Sequence, residues 1–167
     1  AAGADAAAFL HGQLSSDVKR LGRGAGAWTS YSSPKGRMLA TAFLYRPDVG
    51  PDDRFEVLVA ADLAEAIRKR LAMFVLRSKV TLADDTAAWL RLGVGGPGAA
   101  DAVAQALGGT PPSGGVVTRD GARIARLPDG RFLVLAPLDR ASAVFDALAR
   151  VAVPAGAPVW TWLGVRS

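Results

Sequence analysis

Two kinds of apolar spacing alternate along this chain of 167 residues, and the alternation constrains its fold more than any other feature. Helical spacing predicts helices, whereas short apolar runs that end in Gly, Pro or Asp-Gly pairs predict strands joined by tight turns. Helices alternating with hairpins favour an α+β fold with mostly antiparallel sheets and helices on one face. We predict helices at residues 4–21, 61–76, 99–107 and 139–151, and strands at residues 27–33, 37–46, 55–60, 80–83, 87–94, 116–119, 122–127, 131–136 and 159–165.

The length predicts one domain over residues 1–167, or two small subdomains that share a core. A loop rich in Gly and Pro at residues 108–115 follows the third predicted helix. We therefore expect a seam there, with possible subdomains at residues 1–107 and 108–167.

The composition excludes several kinds of chemistry from this chain. It has no cysteine and one histidine, His11, so thiolate catalysis and sites rich in Cys or His ligands are ruled out. The net charge of +5 permits an anionic ligand or partner, including nucleic acid. No apolar run approaches the roughly 20 residues that a membrane-spanning helix needs. We therefore expect no catalytic triad, no metal site and no membrane segment.

Three short segments could carry chemistry, and each also has an ordinary structural explanation. The glycine-rich segment at residues 93–98 lies between a strand and a helix, but it lacks the ending of a phosphate loop and a tight turn explains it. Lys35 and Arg37 flank Gly36 at a predicted hairpin tip. They are either cations that bind a ligand or residues of an ordinary solvated turn. Trp160 and Trp162 alternate on a predicted strand, so they would share one face. They would either stack against a flat ligand or belong to the hydrophobic core.

Three motifs occur in the order and at the spacing of a known family. Residues 9–18, Phe-Leu-His-Gly-Gln-Leu-Ser-Ser-Asp-Val, resemble the first helix of the YgfZ folate-binding family, which is related to the glycine-cleavage T-protein. Residues 31–40 contain Ser-Pro-Lys-Gly-Arg, similar to the hairpin of that family, and residues 70–80 are similar to its "Tyr-Val-Leu-Arg-Ala-Lys-Val" segment. The resemblance covers essentially the whole chain, more weakly at residues 95–155.

The resemblance implies a T-protein-like fold with ferredoxin-like subdomains around a folate pocket. It implies tetrahydrofolate as the cofactor and a role in iron–sulfur cluster assembly or repair, and in the tRNA modification that depends on it. Expected partners are folate and iron–sulfur proteins, with a weak contact to tRNA, in the bacterial cytoplasm. The chain would be the folate-binding N-terminal portion of such a protein, truncated at both ends.

Two other functions stay open. The resemblance also implies aminomethyltransferase activity, but T-proteins carry an aspartate in the strand after the hairpin, and the matching residues Leu39, Ala40, Thr41 and Ala42 include no carboxylate. This departure favours a folate-binding accessory protein over an active transferase. An RNA-binding module that uses the basic surface is the second alternative.

A folate site needs a slot for flat rings, polar groups at the pterin edge and cations for the glutamate tail. We predict no catalytic residue and no metal ligand, and we expect Asp17, if it is not at the site, to pair with Lys19 or Arg20 in solvent. The residues predicted to approach the folate are Tyr31, Lys35, Arg37, Trp160 and Trp162, supported by Gln13 and Asp17 from the first helix.

Overall fold

The structure is a computed structural model that describes residues 1–166, with side chains described through Trp162. The chain divides into two compact units, Ala1–Asp85 and Thr86–Ser167. The division falls after Asp85 and not at the predicted seam between residues 107 and 108. The reason is strand pairing, because residues 89–94 pair with residues 132–137 and so belong to the second sheet.

The first unit is a three-stranded antiparallel sheet with two helices on one face. Its strand order is β1-β2-β3, and α1 and α2 share a core with the sheet that includes Leu10, Tyr31, Leu44 and Leu71. The elements are α1 (Ala6–Gln13), β1 (Ala25–Ser32), β2 (Met38–Arg46), β3 (Glu56–Val59) and α2 (Ala61–Ala72).

The second unit is a four-stranded antiparallel sheet with the order β4-β7-β6-β5. Helices α3 and α4 cover one face of it, where Val103, Ile124, Val134 and Leu148 form part of a second core. The elements are β4 (Trp89–Val94), α3 (Ala99–Leu107), β5 (Val116–Arg119), β6 (Ala122–Arg126), β7 (Phe132–Pro137), α4 (Ala141–Ala149) and α5 (Ala157–Arg166).

The predicted α+β class, with antiparallel sheets and helices on one face, is confirmed. Neither unit alone has the β-α-β-β-α-β order of a ferredoxin-like unit. Over the described residues the first unit runs α-β-β-β-α and the second β-α-β-β-β-α-α. Within residues 1–166 no helix has the length and hydropathy to cross a bilayer.

The first helix ends at Gln13, eight residues before its predicted end. Leu14 is already extended and forms a β-bridge with Tyr31. The Ser15 amide then donates to the carbonyl of Ser30 at 3.0 Å. Serine side chains compete for backbone groups, so the Ser-Ser-Asp segment favours this exit from the helix. Asp17 therefore lies outside the helix on which it was predicted.

The predicted final strand at residues 159–165 is wrong, because this segment is the helix α5. Alternating aromatic and polar residues imitate a strand, but β-propensity depends strongly on context. Pro158 is tolerated in the first turn of a helix, where its missing N–H costs nothing. Residues two apart on a helix lie about 200° apart around its axis. Trp160 and Trp162 therefore do not share a face.

Candidate ligand-binding site

The turn between β1 and β2 is closed by three hydrogen bonds centred on Ser33. Its amide donates to the carbonyl of Arg37 at 2.8 Å, and its carbonyl accepts from the Gly36 amide at 2.9 Å. The Arg37 amide also donates to the Ser33 hydroxyl at 3.2 Å. Gly36 has a φ of +76°, a conformation that favours glycine. The turn is therefore well defined at the point where the two predicted cations lie.

Lys35 and Arg37 are both exposed on this turn, as predicted for a hairpin tip. Lys35 lies within the turn and not on an extended strand, since β2 begins at Met38. Strand alternation therefore does not determine whether the two side chains share a face. The two cations still flank Gly36 at the tip of the hairpin.

One face of the hairpin carries an aromatic ring and a row of hydroxyl groups. Trp28 and Ser30 alternate with buried neighbours, and Ser30 pairs directly with Thr41 across the strands. Residues directly opposite each other in an antiparallel pair point to the same side of the sheet. We call this surface the hairpin face; it consists of Trp28, Ser30, Ser32, Met38 and Thr41.

Trp28 is the aromatic residue at this site that the sequence analysis missed. Its side chain is 50% exposed. Its ring lies 5.5 Å from that of the buried Phe43 in an edge-to-face arrangement with an interplanar angle of 71°. Contact with a buried ring fixes its position while leaving half of its surface accessible. The alternation of Trp28, Ser30 and Ser32 along the strand was the pattern that could have revealed it.

Tyr31 lies on the other side of the same strand. It is only 5% exposed and belongs to the core cluster that contains Leu10 and Leu14. Its backbone also forms the bridge to Leu14. The side chain is therefore part of the core of the first unit and not of the hairpin face.

Gln13 and Asp17 lie where α1 meets β1. Gln13 is the last residue of α1 and is half-buried. Asp17 is exposed, and one oxygen of its carboxylate lies 3.3 Å from Nδ1 of His11. His11, and not Lys19 or Arg20, is the side chain that the structure places beside Asp17.

A small cluster of hydroxyl groups connects this junction to the hairpin. The buried Thr29 hydroxyl accepts from the Ser16 amide at 3.2 Å, and the Ser15 hydroxyl accepts from the Ser30 amide at 2.9 Å. The Ser16 hydroxyl is buried and forms no hydrogen bond within the described part of the chain. A buried polar atom without a partner is unusual in a folded protein. This junction therefore has hydrogen-bonding capacity beyond what its own contacts use.

Trp160 is fixed by contacts within the second unit. The Arg131 guanidinium lies 4.5 Å from the centre of its ring. Arg131 also donates to the Trp160 carbonyl at 3.4 Å and to the Asp129 carboxylate at 2.8 Å. The ring packs where a side chain on Gly93 would lie. Trp160 therefore holds α5 in place, whereas Trp162 is 55% exposed on another side of the helix.

Two opposing effects act on the pKa of Asp129. Burial alone would raise it, but hydrogen bonds from the side chain and backbone of Arg131, together with its charge, lower the pKa below the usual 3.8. The carboxylate is therefore ionised at neutral pH and keeps Arg131 oriented over Trp160.

The hairpin face and the turn cations beside it together carry aromatic, hydroxyl and cationic groups. Trp28 offers a ring surface for a flat heterocycle, and Ser30 and Thr41 offer hydroxyl donors and acceptors beside it. From Trp28 to Ser32 the strand extends by about 13 Å at about 3.3 Å per residue, and the turn cations lie beyond. These residues fit a molecule with a flat head and an anionic tail. Across residues 1–166, no three His, Asp or Glu side chains are grouped so as to hold a metal ion.

Comparison with known proteins gives relatives in bacteria and in a fungus. No family model matches the chain. It is 29% identical over 168 residues to the tRNA-modifying protein YgfZ of Enterobacter sp. (strain 638), covering 99% of this chain and 50% of that protein. It is 30% identical over 83 residues to an iron–sulfur cluster assembly factor, the mitochondrial IBA57 homologue of Neurospora crassa, covering 48% of this chain and 19% of that protein.

A third relative is an uncharacterized protein of Haemophilus influenzae, 38% identical over 92 residues, which covers 55% of this chain and 31% of that protein. The chain thus spans half or less of the length of the curated relatives that it matches.

The fold also has a counterpart among solved structures. The glycine cleavage system aminomethyltransferase T of Bartonella henselae matches with a TM-score of 0.75 at 21% identity, over 88% of this chain and 41% of that one. This likeness shows the fold alone, and it agrees with the family indicated by the sequence relatives. The sequence relatives and the fold together support a relationship of this chain to the YgfZ/T-protein-like superfamily.

Proposed function

We propose that this chain is the folate-binding part of a YgfZ-type accessory protein that acts in the bacterial cytoplasm. It would support iron–sulfur cluster assembly or repair and the tRNA modification that depends on it, with iron–sulfur proteins as partners. The observation that carries the proposal is the alignment with a tRNA-modifying protein over 99% of the chain. The name of the fungal relative, an iron–sulfur cluster assembly factor, supports the same process.

The hairpin face is the part of the chain that we propose binds tetrahydrofolate. Trp28 would stack on a ring of the ligand, which is favourable because both surfaces are flat and apolar. The hydroxyls of Ser30 and Thr41 would bond to polar ring atoms. Lys35 and Arg37 would hold the glutamate tail, since a guanidinium can bind a carboxylate through two parallel hydrogen bonds.

The other predicted residues keep narrower roles in this proposal. Gln13 and Asp17 lie at the junction that supports β1, and Asp17 is already in contact with His11. Tyr31 would position the hairpin from the core side. Trp160 and Trp162 stay as proposed contacts of the ligand, with Trp162 the more accessible of the two.

Aminomethyl transfer is not favoured as the activity of this chain. In β2, Ala40 and Ala42 are buried, and Thr41 is the exposed residue that extends from the hairpin face. A threonine hydroxyl stays neutral at physiological pH, so it cannot stabilise a developing positive charge or accept a proton as a carboxylate does. The strand therefore supplies polarity for binding without an ionisable group for transfer chemistry.

The test is restoration of tRNA modification in cells. The intact protein would be expressed in a bacterium that lacks its own YgfZ protein, and modified nucleosides in tRNA would be quantified by mass spectrometry. We expect wild type and the control Arg119→Ala, an exposed residue of the second unit, to restore nucleosides made by iron–sulfur enzymes. The double variant Lys35→Ala/Arg37→Ala should restore them only weakly. Failure of the folded, normally expressed wild type would contradict the proposal.

A further inference from the structure

The chain exposes a group of large apolar side chains immediately after α2. Met73 is 62% exposed, Phe74 43% and Leu76 86%. Arg77 follows them and is also exposed. We call these four residues the α2 turn surface. Single exposed apolar residues are common, but three within four positions form a patch, and such patches mark interaction sites.

The backbone presents Leu76 to solvent at a conformational cost. Leu76 has a φ of +42°, in the left-handed region that residues with a β-carbon avoid. The Ser78 amide donates to the Val75 carbonyl at 2.7 Å across this residue, and the Val75 side chain packs against the first core. The turn is therefore anchored on the inside while Leu76 points outward. Strain of this kind gathers at functional sites.

The surroundings of the α2 turn surface are strongly cationic. Between Glu65 and Asp84 the sequence has five Lys or Arg residues and no carboxylate. Of these, Lys69, Arg70, Arg77 and Lys79 are exposed. Lys69 forms a salt bridge with Glu65 at 2.7 Å. These cations therefore favour a partner that carries negative charge.

An open groove of about 700 Å³ adjoins the same residues. It is lined by Asp5, Phe74, Leu76, Arg77 and Ser78. The Asp5 carboxylate accepts a hydrogen bond from the Lys79 amide at 2.8 Å, so it serves the local backbone. The groove thus combines two apolar side chains with an exposed guanidinium. Its size is within the range of sites that hold a small ligand or an anchoring side chain.

The geometry points to an acidic segment of a partner protein as the occupant of this groove. Its apolar side chain would pack on Phe74 and Leu76 while a neighbouring carboxylate binds Arg77. Protein interfaces are enriched in Met, aromatic residues and Arg. Nucleic-acid interfaces are more polar, and exposed Met73 and Leu76 have no role in contacts with phosphate. The combination of aliphatic and cationic groups therefore favours an acidic protein over RNA.

Binding of labelled peptides to the intact protein tests this inference by fluorescence anisotropy. The probe is a fluorescein-labelled peptide of about twelve residues made of Glu and Leu. We expect it to bind and to dissociate more readily as salt is raised. Leu76→Asn, which tolerates the left-handed backbone, and Arg77→Glu should each weaken binding about tenfold or more. The control variants Val153→Asn and Arg150→Glu, at exposed positions of the second unit, should leave it unchanged.

Four results would overturn the inference. The first three are no binding of the peptide, an equal loss of binding in the control variants, and equal affinity for a peptide with Ser in place of Leu. The fourth is preferential binding of labelled oligouridylate, which would assign the surface to RNA. Labelling of Leu76→Cys with a maleimide, mapped by mass spectrometry, adds a further check. Fast labelling is expected, whereas protection in the intact native protein would show that its own chain covers the groove.

Discussion

Neighbouring aromatic residues of β1 lie in opposite environments. Trp28 is half-exposed with its edge on Phe43, and Tyr31 lies in the core three residues later. Strand alternation places them on opposite faces. We therefore expect Tyr31 to contribute to stability, whereas Trp28 is the ring that we propose for ligand contact.

Substitution of each ring by alanine tests this separation. Tyr31→Ala should lower the free energy of unfolding by about 3–5 kcal/mol, the range for large aromatic side chains in a core. Trp28→Ala should cost about 1 kcal/mol, mainly its contact with Phe43. Denaturant unfolding of the two variants measures both values. Equal losses would mean that Trp28 is a core residue and that the hairpin face is wrongly defined.

The pair of Asp129 and Arg131 gives a prediction about pH. Burial opposes ionisation of Asp129, but the bonds and charge of Arg131 prevail and lower its pKa below the usual 3.8. A carboxylate with a lowered pKa contributes stability that is present above the unfolded value and is lost as pH falls through the folded value. We expect Asp129→Asn to cost about 0.5–1 kcal/mol at neutral pH, because solvent screens this exposed pair, and progressively less below about pH 4. A stability difference between wild type and Asp129→Asn that did not change across this range would contradict the assignment.

At the scale of elements, α5 depends on the space above Gly93. A β-carbon at this position would collide with the Trp160 ring. Gly93→Ala should therefore displace Trp160, alter tryptophan fluorescence and cost about 1–3 kcal/mol of stability. Gly12→Ala, in α1 with nothing near its β-carbon position, is the matched control and should gain about 0.5–1 kcal/mol. Unchanged fluorescence in Gly93→Ala would show that α5 does not rest on β4.

Elements defined by local turn chemistry could be predicted from the sequence. β5, β6 and β7 flank two Asp-Gly turns and lie within a residue of their predicted bounds, because such pairs favour tight hairpins through local conformation alone. The helix α3 begins and ends as predicted, between two glycines with positive φ. In these segments the local preference and the tertiary structure agree.

The elements that the sequence did not reveal depend on distant contacts. The end of α1 is set by the pairing of Leu14 with β1. The position of α5 is set by the contacts of Trp160 with Gly93 and Arg131, which lie outside that helix. Of the candidate site, the location of Lys35 and Arg37 at a hairpin tip could be predicted, since a Pro-Lys-Gly turn is local. The exposed position of Trp28 could not be predicted in this way. It depends on the register of β1, which decides which of its side chains face the core.

At the scale of the molecule, the proposed function requires that the chain bind folate in preference to other anions. The net charge of +5 favours anions in general and cannot select among them. In the proposed function, selectivity for folate comes from the combination of ring, hydroxyl and cationic groups on one hairpin. The chain spans half of its YgfZ relative, so the intact protein is the correct subject of the test.

Titration of the intact protein with tetrahydrofolate, followed by calorimetry and tryptophan fluorescence, tests the central claim most directly. The account predicts saturable binding that quenches fluorescence, with the quenching reduced in Trp28→Phe. Lys35→Ala/Arg37→Ala should weaken binding about tenfold or more, because a charged hydrogen bond contributes about 1.5–3 kcal/mol. Arg119→Ala should bind like wild type. If tetrahydrofolate does not bind, or if the Lys35 and Arg37 double variant binds it as tightly as wild type, the hairpin is not a folate site and the account is wrong.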